Sequence, residues 1–370
     1  MTWAIGRPSQ WVAILAFAIM TATILFVLRK ASREFPLILF LVFGVIFTLG
    51  VGSPAWDARS IWLFHAKRIF IDGSLYAQLD NYAVWSHNDY PALFGALAAL
   101  LGQAVGHWNE VFPKAAVLFL LIPPLLICSR ILGRMLMTFF LLGIAVICKS
   151  YLFNGYMDAL LAIYGCAILL LIIDSKGDKR QGSQSTILTA ITYTLFFLIL
   201  LLLKNEGLVI ALILIAVMFI NTEDKRISLI IALVSLTAYF VLWKWPVLQA
   251  NINNDLATTG IIKRILKRLT SWDELSRILF VFLKVSGIYF ALYTSFLLLK
   301  RKAWRSQKAI IQFVGVYGVI LFLVYLATPH GLDWHLSKSA RRTLIPLNVI
   351  MLGGLLYSFR TVSIQPVPTE

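Results

Sequence analysis

Charge is scarce in this chain. Of its 370 residues only 14% are Asp, Glu, Lys or Arg, against about 25% in soluble domains. Acids are scarcer still: 17, against 33 Lys and Arg. So little charge in a chain that is 60% hydrophobic excludes an ordinary soluble enzyme and a disordered chain. It also excludes a nucleic-acid partner. The net charge of +16 is what a membrane protein acquires when Lys and Arg gather in its short cytoplasmic loops. Cysteine is nearly missing. Cys128, Cys148 and Cys166 all fall inside apolar runs, with neither metal-ligand spacing nor a disulfide framework. There is no glycine-rich phosphate loop, which is consistent with a chemistry that uses no nucleotide. There is also no low-complexity stretch, convincing repeat or soluble domain.

What is present is a series of long apolar runs. A hydrocarbon core of ~30 Å needs about 20 apolar helical residues. Runs at 11–28, 36–52, 111–128, 135–148, 157–173, 186–203, 208–220, 227–243, 278–299, 309–327 and 343–358 predict about eleven transmembrane helices, within a range of ten to twelve. Those at 135–148 and 208–220 are short. The Ala- and Gly-rich run 91–105 reads as a re-entrant or juxtamembrane helix, or as a twelfth span. The first run has little basic charge ahead of it beyond Arg7, and a second span follows almost at once; it reads as a span, not a cleaved signal peptide. The expected fold is an all-α polytopic membrane protein, one transmembrane domain over 1–370, with juxtamembrane helices in an early external loop.

Basic residues orient it. Short connections at 29–34, 129–134, 174–185, 221–226 and 300–308, with the tail from 359, hold 16 Lys and Arg in about fifty residues. The opposite face spreads as many over a far longer stretch, mostly in segments 53–110 and 244–277. The denser set belongs in the cytoplasm. That places 53–110 and 244–277 outside, the N-terminus outside and the C-terminus in the cytoplasm.

The polar clusters then fall on the external face, where ionisable groups near bilayer depth usually mark function. Asp57 follows the second span through GSPAW. It reads as a helix N-cap, as a general base on an acceptor hydroxyl, or as both. Asp89, before Tyr90-Pro91, caps a short helix or faces the site; His87 beside it is a ligand or a loop residue. Asp158, in NGYMD, suits a helix first turn or adds a second carboxylate. Asp57 and Asp158 together would suit a divalent cation, Mg²⁺ or Mn²⁺. Lys204 and Glu206 separate two strongly apolar runs, as a tight turn or as a phosphate contact through the lysine. His335, Lys338, Arg341 and Arg342 precede the last span, the two arginines against the positive-inside trend. They are phosphate ligands or snorkelling residues, and spacing does not choose between the two arginines. Segment 260–270 (GIIKRILKRLT) sets an apolar stripe opposite Lys263, Arg264, Lys267 and Arg268, an interfacial helix on anionic headgroups. Ser271 and Glu274 follow as a capping box.

Together these residues resemble the glycosyltransferase-C superfamily of polytopic membrane enzymes. That superfamily includes protein O-mannosyltransferases and the bacterial transferase that adds aminoarabinose to lipid A. The resemblance lies in Trp56-Asp57 after an early span, HNDYPALFGALAALLG closing the external loop, NGYMDALLAIYG entering a later span, and RRTLIPL before the final helix. It implies a polyprenyl-phosphate-linked sugar donor, attack by a glycan, lipid or protein acceptor on the external or periplasmic face, and inversion at the anomeric carbon. Asp57 would be the base, and Asp158 would shape the acceptor or metal site. Lys204 and one of Arg341 or Arg342 would hold the lipid phosphate. A bacterial inner membrane is the expected setting.

Two other readings compete. An O-antigen polymerase or ligase also uses lipid-linked sugars outside, and segment 244–277 is compatible with its late basic loop. A transporter would bind near the midplane on broken helices, and Pro123-Pro124 and Lys284 fall inside apolar runs.

Overall fold

In a computed structural model, residues 6–29, 35–50, 54–79, 82–175, 183–252, 259–300 and 303–363 are described. Among them every regular element is a helix, and a helix covers all or most of each of the eleven apolar runs. In chain order the helices are α1 (Gln10–Arg29), α2 (Phe35–Gly50), α3 (Leu63–Asp72), α4 (Leu93–Val105), α5 (Ala116–Leu132), α6 (Arg134–Cys148), α7 (Asp158–Asp174), α8 (Ser183–Leu203) and α9 (Asn205–Asn221). They continue as α10 (Lys225–Tyr239), α11 (Trp245–Gln249), α12 (Ile261–Leu269), α13 (Trp272–Leu299), α14 (Ala303–Ser306), α15 (Lys308–Ala327), α16 (Leu332–Thr343) and α17 (Ile345–Ser363).

Among the described residues, six helical stretches are long and apolar enough to cross a membrane: Phe112–Leu132, Arg134–Leu152, Lys225–Gln249, Trp272–Leu299, Lys308–Ala327 and Leu332–Arg360. The apolar helices Phe35–Gly50, Ile187–Leu203 and Asn205–Asn221 are shorter. Sixteen residues, the length of α2, rise only ~24 Å. The short run at 135–148 gains length because a 3₁₀ turn, Lys149–Leu152, continues α6. Pro123 and Pro124 do not interrupt α5, which runs through both. Membrane helices tolerate such prolines where neighbours satisfy the freed backbone groups.

The core is α7. Every residue from Asp158 to Leu170 is buried, as expected of a helix that is apolar all round. It packs against α5, α8, α9 and α17. Gly353 of α17 lets the two helices close: a Cβ there would overlap the Cys166 sulfur. All three cysteines are buried and free. At the periphery, α13 leaves Phe280, Leu283, Ile288 and Leu292 exposed, a surface that suits lipid.

Two tethers gather the long segments at one end of the bundle. Before α1, Arg7 donates to the carbonyls of Phe70 (3.0 Å) and Ile71 (2.5 Å) at the end of α3. Tyr76 donates to Leu242 O at 2.6 Å, close to where α10 passes through a π-turn into α11. The start of α1, segment 54–110 and the end of α10 therefore share one face. Within that segment α3 and α4 pack together. Gly73 and Gly106 end them in the left-handed conformation that glycine adopts without a Cβ penalty.

Candidate functional site

The site forms where chain entries into α3, α4, α7 and α9 meet the end of α16. Asp57 has helical backbone angles and caps nothing: no backbone N–H bonds to its side chain there. A π-turn, Ala58–Trp62, follows it. Its carboxylate instead accepts a charge-assisted hydrogen bond from Arg342 Nη1. The same guanidinium lies over the Tyr156 ring, 5.1 Å from its centroid.

Behind this pair lies a second one. Lys204 Nζ is 3.0 Å from Asp158 Oδ1 and 2.8 Å from Glu206 Oε1. Lys204 is buried because the α8–α9 turn is too tight to expose it. Its backbone is extended, and it stands at the N-cap of α9. Gly207 permits that turn, since a Cβ there would overlap Leu200 O. Lys204 also faces the Tyr90 ring at 6.0 Å. The Arg342 charge acts on Asp158 as well, so the two pairs form one electrostatic unit. Asp158 Oδ2 is buried with no hydrogen-bond partner among the described residues.

Asp89 also joins the site rather than capping α4, whose N-cap is Ala92. It is buried, accepts from Asn205 Nδ2 at 2.6 Å, and its backbone carbonyl accepts from Trp243 Nε1 at 3.0 Å. His87 stacks on Tyr90, with ring centroids 4.7 Å apart, and Trp62 packs on the other ring contact of Tyr90 at 5.4 Å.

The structure therefore brings Asp57, Asp89, Asp158, Lys204, Glu206 and Arg342 together. Two residues go elsewhere. Arg341 lines a separate groove against α13. His335 packs against Tyr325 (5.0 Å) and His330 (5.9 Å), about two turns along α16 from Arg342. Tyr90, Tyr156 and Asn205, which lie within the polar clusters but carry no role in the sequence reading, join the site, as does Trp243 from outside those clusters. The two tyrosines sit in HNDYP and NGYMD, next to the acids, which was the available signal.

A divalent cation does not fit this donor set. Asp57 and Asp158 each already face a cation, and among the described residues no three His, Cys, Asp or Glu are placed to hold a metal ion together.

The cationic helix also departs from expectation. Of the four basic residues of α12, Lys263 and Lys267 are exposed while Arg264 and Arg268 are half-buried. Arg264 donates to Ala327 O at 2.8 Å, and Arg268 to the carbonyls of Tyr325 (3.2 Å), Leu326 (2.9 Å) and Thr328 (2.8 Å). The last carbonyls of a helix have no partner within it and attract cations, so the C-terminus of α15 draws both arginines inward. Ile262 and Leu266 remain exposed, and Ser271 accepts from Glu274 N at 3.4 Å, as the capping pattern predicts.

Comparison with known protein families, curated proteins and solved structures finds no match.

Proposed function

We propose that this protein is an inverting membrane glycosyltransferase. It moves a sugar from a polyprenyl-phosphate donor to a glycan, lipid or protein acceptor on the external face of a bacterial inner membrane. The finer topology belongs to the same reading: eleven crossings, N-terminus and segments 53–110 and 244–277 outside, C-terminus in the cytoplasm. The tethers from Arg7 and Tyr76 support it, because they bring the approach to α1, the end of α3 and the π-turn that leads into 244–277 to one face.

The observation that carries the reading is the pairing of Asp57 with Arg342 beside Lys204 and Asp158. Arg342 holds the Asp57 side chain and aims it. Asp57 takes the proton of the acceptor hydroxyl as its oxygen bonds to the anomeric carbon. The bond from that carbon to the donor phosphate breaks on the opposite face. Arg342, with donors to spare beyond Asp57, and Lys204 offset the charge that grows on the departing lipid phosphate.

The test is mass-spectrometric comparison of envelope glycans from cells with and without the protein. A sugar modification should disappear on deletion, return with the wild-type chain, and stay absent with Asp57→Asn. Identical glycans in both strains would remove the proposal. Full rescue by Asp57→Asn would favour a polymerase-type enzyme, which gives that residue no required role.

A further inference from the structure

Lys284 lies within α13, in a stretch otherwise made for lipid. It is six residues, or ~9 Å of helical rise, inside the apolar run that starts at Ile278. A charge at that depth is costly unless it snorkels or serves a ligand. Lys284 does not stand alone. With Arg341 and Ser337 of α16 it lines a half-open groove of about 400 Å³ between α13 and α16. Arg277 closes one end. It is held by Asp273 at 2.6 Å and by Asp333, itself a groove residue, at 2.7 Å, so two carboxylates answer its charge at that end. No carboxylate pairs with Lys284 or Arg341 among the described residues, and both side chains are exposed. The groove thus offers two cations that no carboxylate contacts, beside an apolar helix face whose Phe280, Leu283 and Ile288 are exposed.

We propose that this groove binds the phosphate monoester of a membrane lipid, the phosphate between Lys284 and Arg341 and the hydrocarbon chain along α13. A monoester carries about −1.5 to −2 charges at neutral pH, which matches two cations; a diester carries one. Lipid, not solvent, supplies the ligand because the groove opens beside the exposed apolar face. The site is separate from the glycosyl-transfer cluster and does not rest on that reading. Arg341 and Arg342 are consecutive, but one helical step of ~100° sends Arg342 to Asp57 and Arg341 to α13.

Native mass spectrometry of the full chain released from phosphatidylcholine vesicles doped with phosphatidic acid reads the bound lipid directly. The wild-type chain should retain phosphatidic acid in preference to phosphatidylcholine and to the diester phosphatidylglycerol. Lys284→Gln with Arg341→Gln should weaken retention by about tenfold or more. Lys338→Gln, an equal charge loss on α16 outside the groove, should leave it unchanged. Ser337→Phe, which fills the groove and keeps both cations, should weaken it. Equal retention by the double variant, or phosphatidylglycerol held as firmly as phosphatidic acid, would overturn the proposal. So would displacement of the lipid by inorganic phosphate, which would assign the groove to a free anion.

Discussion

Arg342 forms an ion pair with Asp57 across 285 residues of sequence. The contact ties the end of α16 to the start of the segment that leads into α3. Both side chains are largely buried, at 18% and 24% exposure. Replacing either leaves the other short of its partner in a low-dielectric setting.

The pair is expected to act as a unit. Asp57→Asn should fold and insert, yet lower sugar transfer by about 10²–10⁴-fold, the scale of general acid–base catalysis. Arg342→Met should lower it comparably. The double variant should be little worse than either single one, because coupled groups are not additive. Transfer rate read beside thermal unfolding checks this. Fully additive losses would mean that the two side chains act separately.

Lys204 sits between two carboxylates, one of them fully enclosed. Lys204→Met should cost about 3–5 kcal/mol of stability, because it strands the buried Asp158 charge. Glu206→Gln removes a more exposed partner and should cost under about 1 kcal/mol. Unfolding of the purified variants in detergent ranks them. A Lys204→Met protein as stable as Glu206→Gln would contradict the buried pairing.

Acid should weaken the packing around α3 through His65. Burial first, then the charges of Arg68 and His87, push its pKa down to about 3. In the unfolded chain imidazole titrates near ~6.5. Between those values the unfolded chain takes up a proton that the folded chain does not. Stability therefore falls as pH drops from about 6.5 towards about 3, by at most ~1.4 kcal/mol per pH unit from this group. His65→Gln should flatten that slope in thermal scans across the range. An unchanged acid slope would show that His65 is not its source.

Arg268 holds three carbonyls at the end of α15. Arg268→Ala should cost about 2–3 kcal/mol, the effect of losing charge-assisted hydrogen bonds to enclosed acceptors. Lys267→Ala, exposed beside it, should stay within about 0.5 kcal/mol. Thermal unfolding of the two variants separates a C-terminal clamp from a surface charge.

Orientation has a direct readout in intact cells. Thr270 and Ser306 are both exposed and lie on opposite sides in the proposed topology. A cysteine at Thr270 should react with an impermeant thiol reagent, and one at Ser306 should be shielded. The reverse pattern would turn the map over and move the Asp57 cluster to the cytoplasmic side.

The sequence by itself determined the helices. In a chain this apolar, each run must satisfy its own backbone groups, and a helix does so locally, so eleven runs are legible without knowledge of their neighbours. The Ser271 cap and the exposed apolar stripe of α12 are local for the same reason. Tertiary structure decided the partners. Whether Asp57 caps a helix or pairs with Arg342, and whether Arg341 or Arg342 turns to the acids, depends on how α16 is rotated against α7 and α13. Packing sets that rotation, and residue spacing along one helix does not encode it. Arg264 and Arg268 turned inward because the end of α15 lies beside them, a neighbour that no amphipathic pattern in 260–270 can reveal. The acids were visible as residues, but the two-cation unit that links them exists only once four distant chain segments meet.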